Sequence, residues 1–416
     1  MIKLIGSGHM TSRPPATSSS PATVSDVRQR NRSQALRSII LAGSTTRAEL
    51  ARESGLSVAS VTNLVTELIA EGLVLEAGTV ASSGGRPTTL IEPNPAGAYL
   101  LGADVGERGV AMELFDLSMN RIDTEFRGGR SGEPIQVIGR DLDDALDALR
   151  ARNPGAWDRM VGLGLGLPGI VETSPSGEQM LYAQSQGWPA IAVTDLVSHD
   201  IPIFAENGAK TQAMAEMWNG EARGVAEALV VLMGRGVGLG IVSDGQLAHG
   251  SRSSAGEWGH VKIVHGGRLC RCGKHGCVEA YLGADSIFAA WREAGGVFEG
   301  SGWRAVGDLL AAADADDPIA ASVVDELVAI LGSSLGGLVN LTNPDRVIIG
   351  GWVGLRLMET LAPRIEAAIR AEALDRPGSQ FTLSASKFGG DTVALGAAIL
   401  PLNAVLNQPR ATQLPA

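Results

Sequence analysis

The chain has 416 residues and carries 34 Lys and Arg against 45 Asp and Glu, a net charge of −11, which excludes indiscriminate binding to nucleic acid. Its abundant Gly and Ala, few aromatics (4%) and lack of long low-complexity tracts fit a globular α/β protein of two or three domains. No run of about 18 apolar residues predicts a membrane span, and Met1–Thr23 lacks a signal-peptide core, so the expected location is cytoplasmic with no membrane partner.

Residues 1–23 read as a disordered arm, with "GSGHM" (6–10) as a tag remnant. The charge is unevenly divided. The arm carries +2, residues 24–92 hold seven Arg and seven Asp/Glu, and the remainder holds 25 Lys/Arg against 38 Asp/Glu. Only the N-terminal part can approach a phosphate backbone without strong repulsion, through a small set of arginines.

Within 24–92 the periodicity predicts three helices. "RQRNRSQALRSIILAG" (28–43) puts Ala35, Leu36, Ile39 and Ile40 on one face. "TTRAELARESG" (45–55) offers Thr45 or Thr46 as N-cap and Gly55 as stop. "LSVASVTNLVTELIAEG" (56–72) has Ser57 as cap and Val61, Leu64, Val65 and Leu68 as its apolar stripe. Two strand-like runs over 73–93 then read as a wing with "GGRP" (84–87) at its tip. Such periodicity also suits a packing or dimerisation module. The order helix, turn, helix, wing favours a winged helix-turn-helix DNA-binding domain. Ser57, Ala59, Ser60, Thr62 and Asn63 would face base edges and phosphates, and Arg86 the minor groove.

After a linker (92–99), strands are expected over 100–117 and near 122–126. A helix at about 134–151, the strand "VGLGLGLPG" (161–169) and a helix at 208–219 follow. A second hairpin (228–247), helices near 283–294 and 318–340, the strand "RVIIGG" (346–351) and a Gly-rich helix from Gly389 repeat the theme. Two such sets predict a duplicated two-lobed α/β fold with a ligand cleft between lobes.

All three cysteines fall in "LCRCGKHGC" (269–277). Cys270, Cys272 and Cys277 can supply three thiolates to a tetrahedral ion, with His260, His265 and His275 as candidates for the fourth ligand. Reduced buried thiols are the bland alternative.

"RGVGLGIVSDGQLAHGSRSSAGEWGHVKIVHGGRLCRCGKHGCVEAYLG" (235–283) resembles the signature of the ROK family of bacterial sugar kinases and sugar-responsive repressors, over about 95–405. The resemblance implies an actin-like, hexokinase-like (ribonuclease H-like) domain. Lobe 1 would span 97–205, completed by a helix at about 389–405, and lobe 2 would span 206–388. It selects His260 to join the cysteines around a structural Zn2+, and places Asn207, Glu257, His260, Glu279 and Gly169 at the sugar. Trp188 would support the pocket or belong to the core.

The catalytic side departs from the family. Its kinases carry Asn-Asp at a strand end, whereas this chain reads Asn207-Gly208, with no side chain to accept a proton. Glu107 stands in the first phosphate loop, and Arg235 replaces the hydroxyl residue of the second. Loss of the base alone lowers rates by about two to four orders of magnitude. The expectation is therefore a sugar-responsive transcriptional regulator, of the repressor branch, with an inactive kinase-like domain and no use for ATP. Its partners would be operator DNA, a sugar or sugar-derivative effector, and further copies in a homodimer or homotetramer. A tethered ATP-dependent sugar kinase is the rival. A regulator governed by zinc or a protein partner is a third reading.

Overall fold

The computed structural model describes residues 24–80, 87–106, 109–129, 132–298, 300, 302–389 and 392–407. The expected arm, Arg86 at the wing tip and Glu107 lie outside the described residues.

The N-terminal segment forms helices Val24–Ala42, Arg47–Ser54 and Val58–Ala70. Thr46 caps the second: Glu49 N donates to Thr46 Oγ1 at 3.2 Å and Thr46 N donates to Glu49 Oε2 at 2.9 Å, a reciprocal capping box. Ser57 caps the third through Ser60 N at 3.1 Å. An antiparallel hairpin of Val74–Val80 and Thr88–Pro93 follows, with Thr45–Thr46 as a short third strand.

The linker is not a loose tether. Pro95–Gly97 forms a 3-10 turn, Ala98 is buried, and Asn94 Nδ2 donates to Gly72 O at 2.7 Å. The first helix lies against the last, Thr392–Asn407. Leu36 and Ile39 share an apolar cluster with Ile399, Leu402 and Leu406. Buried Arg32 donates to the carbonyls of Val405 and Leu406, Ser33 Oγ to Leu406 O at 2.6 Å, and Arg37 sits over the Trp218 ring at 5.0 Å.

Two five-stranded sheets follow. One runs in the spatial order Arg121–Gly128, Gly109–Asp116, Tyr99–Gly106, Met160–Leu167, Ile203–Asn207. The other runs Gln246–Leu247, Val237–Ser243, Ala228–Met233, Arg346–Gly350, Thr382–Ala385. In each, the third, second and first strands pair antiparallel, and the fourth and fifth add in parallel. The repeated order makes the duplication visible.

The helix after each fifth strand crosses to the other lobe. Thr392–Asn407 lies on the first sheet, where a Cβ at Gly164 would fall 1.8 Å from Ala397 O. Only glycine permits that approach. Gly208–Asn219 lies on the second sheet, its Ala209 and Ala213 facing Gly238 and Gly240. The long apolar helix Pro318–Thr342 has the length and composition of a membrane span, contrary to the expectation of none. Its Leu327, Leu331, Leu335 and Val339 are instead buried in the second lobe.

Helices Gly302–Asp314 and Gly351–Glu372 and the small sheet Ile170–Thr173, Gln179–Tyr182, Ile191–Ala192 were not anticipated. Both helices begin at glycines, which are poor helix formers and offer no capping side chain, and the small strands are too short to show a period.

Candidate functional site

A cleft of about 730 Å3 opens between the lobes. Its floor is the C-terminal edge of the first sheet, where the parallel strands Met160–Leu167 and Ile203–Asn207 end side by side. Open α/β sheets receive ligands at this edge. Gly169 (φ +104°) turns the chain there, and a Cβ would meet Tyr182 O at 2.4 Å, so the position requires glycine.

Asn207 fastens that turn. Its Nδ2 donates to Gly169 O at 2.7 Å, while its Oδ1 caps helix Gly208–Asn219 by accepting from Ala209 N at 2.9 Å. Beside it, Gly208 presents no side chain to the cleft. A Cβ there would meet nothing closer than Val393 Cγ1 at 3.7 Å, so the site has room for a larger residue. The preceding acid, Glu206, is already engaged. It accepts from Asn207 N at 2.8 Å, faces buried Lys210 at 3.6 Å and meets His249 Nε2 at 3.1 Å. Lys210 Nζ also donates to Ser253 O.

The opposite wall comes from the loop between Gln246–Leu247 and helix Ala284–Glu293. Glu257, His260 and Glu279 all reach the cleft. Glu279 is 7% exposed, and its Oε2 accepts from Val237 N at 3.2 Å. Burial holds the Glu257 carboxyl above the usual carboxylate range; nearby His260 and Lys210 oppose this shift, and Glu279 adds to it.

His260 stands between the cleft and the cysteines. Its Nδ1 is 3.7 Å from Cys270 Sγ, and its Nε2 is 3.3 Å from Ser185 Oγ across the cleft. The donor atoms of His260, Cys270, Cys272 and Cys277 all lie within 4.8 Å of one another. Cys272 and Cys277 sulfurs are 3.7 Å apart. A tetrahedral ion with metal–sulfur bonds of about 2.3 Å separates its sulfurs by about 3.8 Å, so the four residues fit such an ion. Lys262 Nζ lies 2.8 Å from Cys277 Sγ and offsets the excess negative charge of three thiolates. Burial pushes the Cys270 thiol up to about 12. A bound cation supplies the charge that keeps such a group deprotonated. His265 and His275 stand apart from the four donors, and His275 Nδ1 pairs with Gly267 O at 3.0 Å.

Trp188 does not line the cleft. Its Nε1 donates to Glu133 O at 3.1 Å and its ring packs on the first-lobe core, so of its two expected roles the structure gives it the packing one. Sequence reasoning missed Trp303, Trp352 and Arg271, all in the cleft wall. Trp352 stands just past the strand run "RVIIGG" (346–351), where no helical period has yet begun; Trp303 follows a Gly/Ser stretch and carries no periodic signal.

In the N-terminal segment, Ser57, Ala59, Ser60 and Asn63 are exposed together at the start of helix Val58–Ala70. Thr62 is half-buried, with its hydroxyl donating back to Val58 O at 2.8 Å. Val58 shares this surface at 57% exposure. Most of the segment's arginines serve the fold. Arg28 pairs with Glu67, Arg32 with Glu71 and Arg47 with Glu76, while Arg37 stacks on Trp218.

Two sheets of identical strand order with a cleft between them define a two-lobed actin-like and hexokinase-like protein. The ROK family pattern matches residues 100–404, and the chain belongs to the ROK family. It is 30% identical over 312 residues to a glucokinase of Halalkalibacterium halodurans, covering 72% of this chain and 93% of that protein. It is 26% identical over 395 residues to the xylose repressor of Caldicellulosiruptor bescii, covering 92% and 98%. Among solved structures it is similar to a ROK family transcriptional regulator described as a homologue of Escherichia coli Mlc, with a TM-score of 0.72 and 25% identity over 92% of this chain and 97% of that one.

Proposed function

We propose that this chain is a sugar-responsive transcriptional repressor whose kinase-like domain binds a saccharide without phosphorylating it. The observation that carries this reading is Gly208. The cleft offers Asn207, Glu257, His260 and Glu279 to sugar hydroxyls, yet the position beside Asn207 has no carboxylate, and neighbouring Glu206 is committed to Lys210 and His249. Binding groups without a base make a receptor rather than a catalyst. The likeness to repressors over nearly the whole chain, N-terminal segment included, supports the same reading.

The N-terminal segment then acts as a winged helix-turn-helix, with helix Val58–Ala70 in the major groove and Arg86 of the wing in the minor groove. Paired half-sites call for a homodimer or homotetramer. Zn2+ held by His260, Cys270, Cys272 and Cys277 is structural, because four protein ligands close its tetrahedron. With Nδ1 on the ion, the His260 Nε2 hydrogen points to Ser185 and the cleft. The metal thus orients a saccharide-binding group. Saccharide acts on DNA binding only through different affinities for the two arrangements of the lobes.

The test pairs two measurements on the full chain. A coupled ADP-release assay over a saccharide panel is expected to stay at background, while a hit from thermal-shift screening changes the affinity for operator DNA. Substantial turnover overturns the reading in favour of a sugar kinase, a possibility favoured by the glucokinase relative.

A further inference from the structure

The cleft is far larger than one pyranose ring needs, and its two ends differ in chemistry. At one end stand Glu257, His260 and Glu279. At the other stand Trp303 and Trp352. The loop Gly234–Gly236 joins them. A Cβ at Gly236 would lie 2.9 Å from Glu279 Oε2, and one at Gly234 would lie 3.3 Å from Trp352 Nε1. The Glu279 carboxylate and the Trp352 indole thus flank opposite ends of the bent loop Gly234–Gly236, whose ends lie at most about 7 Å apart.

The two tryptophans belong to one aromatic wall. Trp352 and Arg356 are one turn apart on helix Gly351–Glu372, and the Arg356 guanidinium sits over the Trp303 ring at 5.5 Å. Trp303 nevertheless keeps 44% of its surface exposed in the wall of a cavity. Together with Trp352, the open ring gives this part of the cleft a contiguous indole surface available to a ligand. The loop between the ends does not favour a nucleotide. Arg235, where the family places a hydroxyl residue, is held by Asp285 at 2.9 and 3.1 Å.

We infer that the effector is an oligosaccharide of at least two units, with one ring held by Glu257, His260 and Glu279 and the next stacked against Trp303 and Trp352. Sugar rings present apolar C–H faces that suit indoles, while their rims supply hydroxyls to carboxylates. The inference rests on the proposed saccharide-receptor function and deepens it by naming the ligand class.

The test is calorimetry of the full-length protein with paired probes: xylose and xylobiose, glucose and cellobiose, N-acetylglucosamine and chitobiose. AMPPNP with Mg2+ forms a separate arm. At least one disaccharide is expected to bind about tenfold or more tightly than its monosaccharide. Trp303→Ala erases that advantage while leaving the monosaccharide affinity within about twofold, and Trp303→Phe restores most of it. Equal affinities within every pair overturn the oligosaccharide inference alone, as does nucleotide binding that Trp303→Ala abolishes. Failure of every saccharide to bind overturns the receptor reading together with it.

Discussion

The two lobes share a strand order but not a way of holding a loop over the cleft. The first lobe inserts residues 170–192 after its fourth strand and folds them as a three-stranded antiparallel sheet whose Val171, Leu181 and Ala183 enter the lobe's core. The second inserts residues 248–283, where regular structure is sparse: Trp258, Val278 and Leu282 enter that lobe's core, and the stretch between them has only the small cluster of Cys270, Cys277, Ala280 and Tyr281 beneath it. Ladder hydrogen bonds and apolar burial suffice in one case. In the other, apolar burial anchors the two ends, and a metal on the four clustered donors would pin the stretch between them. The insertions meet across the cleft: Gln184 Nε2 donates to Cys272 O at 3.0 Å, and Arg252 pairs with Glu172 at 2.6 Å.

Removing one ligand, as in Cys277→Ala, or stripping metal with a chelator is the hardest blow to this contrast. Loss of the ion, read by metal analysis, should lower stability by on the order of 4 kcal/mol and abolish saccharide binding. An unaltered melting curve in metal-free protein would erase the distinction between the insertions. Leu181→Ala attacks the other insertion. It should destabilise by about 3 kcal/mol in denaturant titration and keep its full metal content. Gln184→Ala removes the bridge between them and should cost about 1 kcal/mol. It should also weaken saccharide binding, because Gln184 and the metal loop wall the same cleft.

The smallest effect concerns the return segment of the first insertion, where His199 lies 3.0 Å from both Asp143 and Asp147. Burial opposes the imidazolium, but the two aspartates outweigh it and raise the His199 pKa. A raised folded value contributes stability below the unfolded pKa of about 6.5 and loses it as pH climbs through the folded value. His199→Gln should therefore cost about 0.5 kcal/mol at pH 6 and progressively less towards pH 8, measured by paired melting curves. A difference that grew with pH would reverse the assignment.

Much of this was legible in sequence because it rests on local chemistry. Ser57 announces its helix as a cap, the choice between Thr45 and Thr46 resolves to Thr46, and the apolar stripe of Val61, Leu64, Val65 and Leu68 is buried as its spacing required. The three cysteines pointed to a metal centre, and the ROK resemblance selected His260 from three histidines; the four donors lie together as that choice required. What escaped depends on long-range contact. No period marks Trp303, which matters only because the fold brings Arg356, 53 residues later, over it. The internal pairing of Arg28, Arg32 and Arg47 was equally hidden, since their glutamates lie 29 to 39 residues away.

The packing of the first helix against the last has a mechanical corollary. With Leu36 and Ile39 on Ile399 and Leu402, neither helix Val24–Ala42 nor helix Thr392–Asn407 can be removed without baring an oily flank on the other. Any tilt of Thr392–Asn407 would therefore be felt directly by the N-terminal segment through these side-chain contacts.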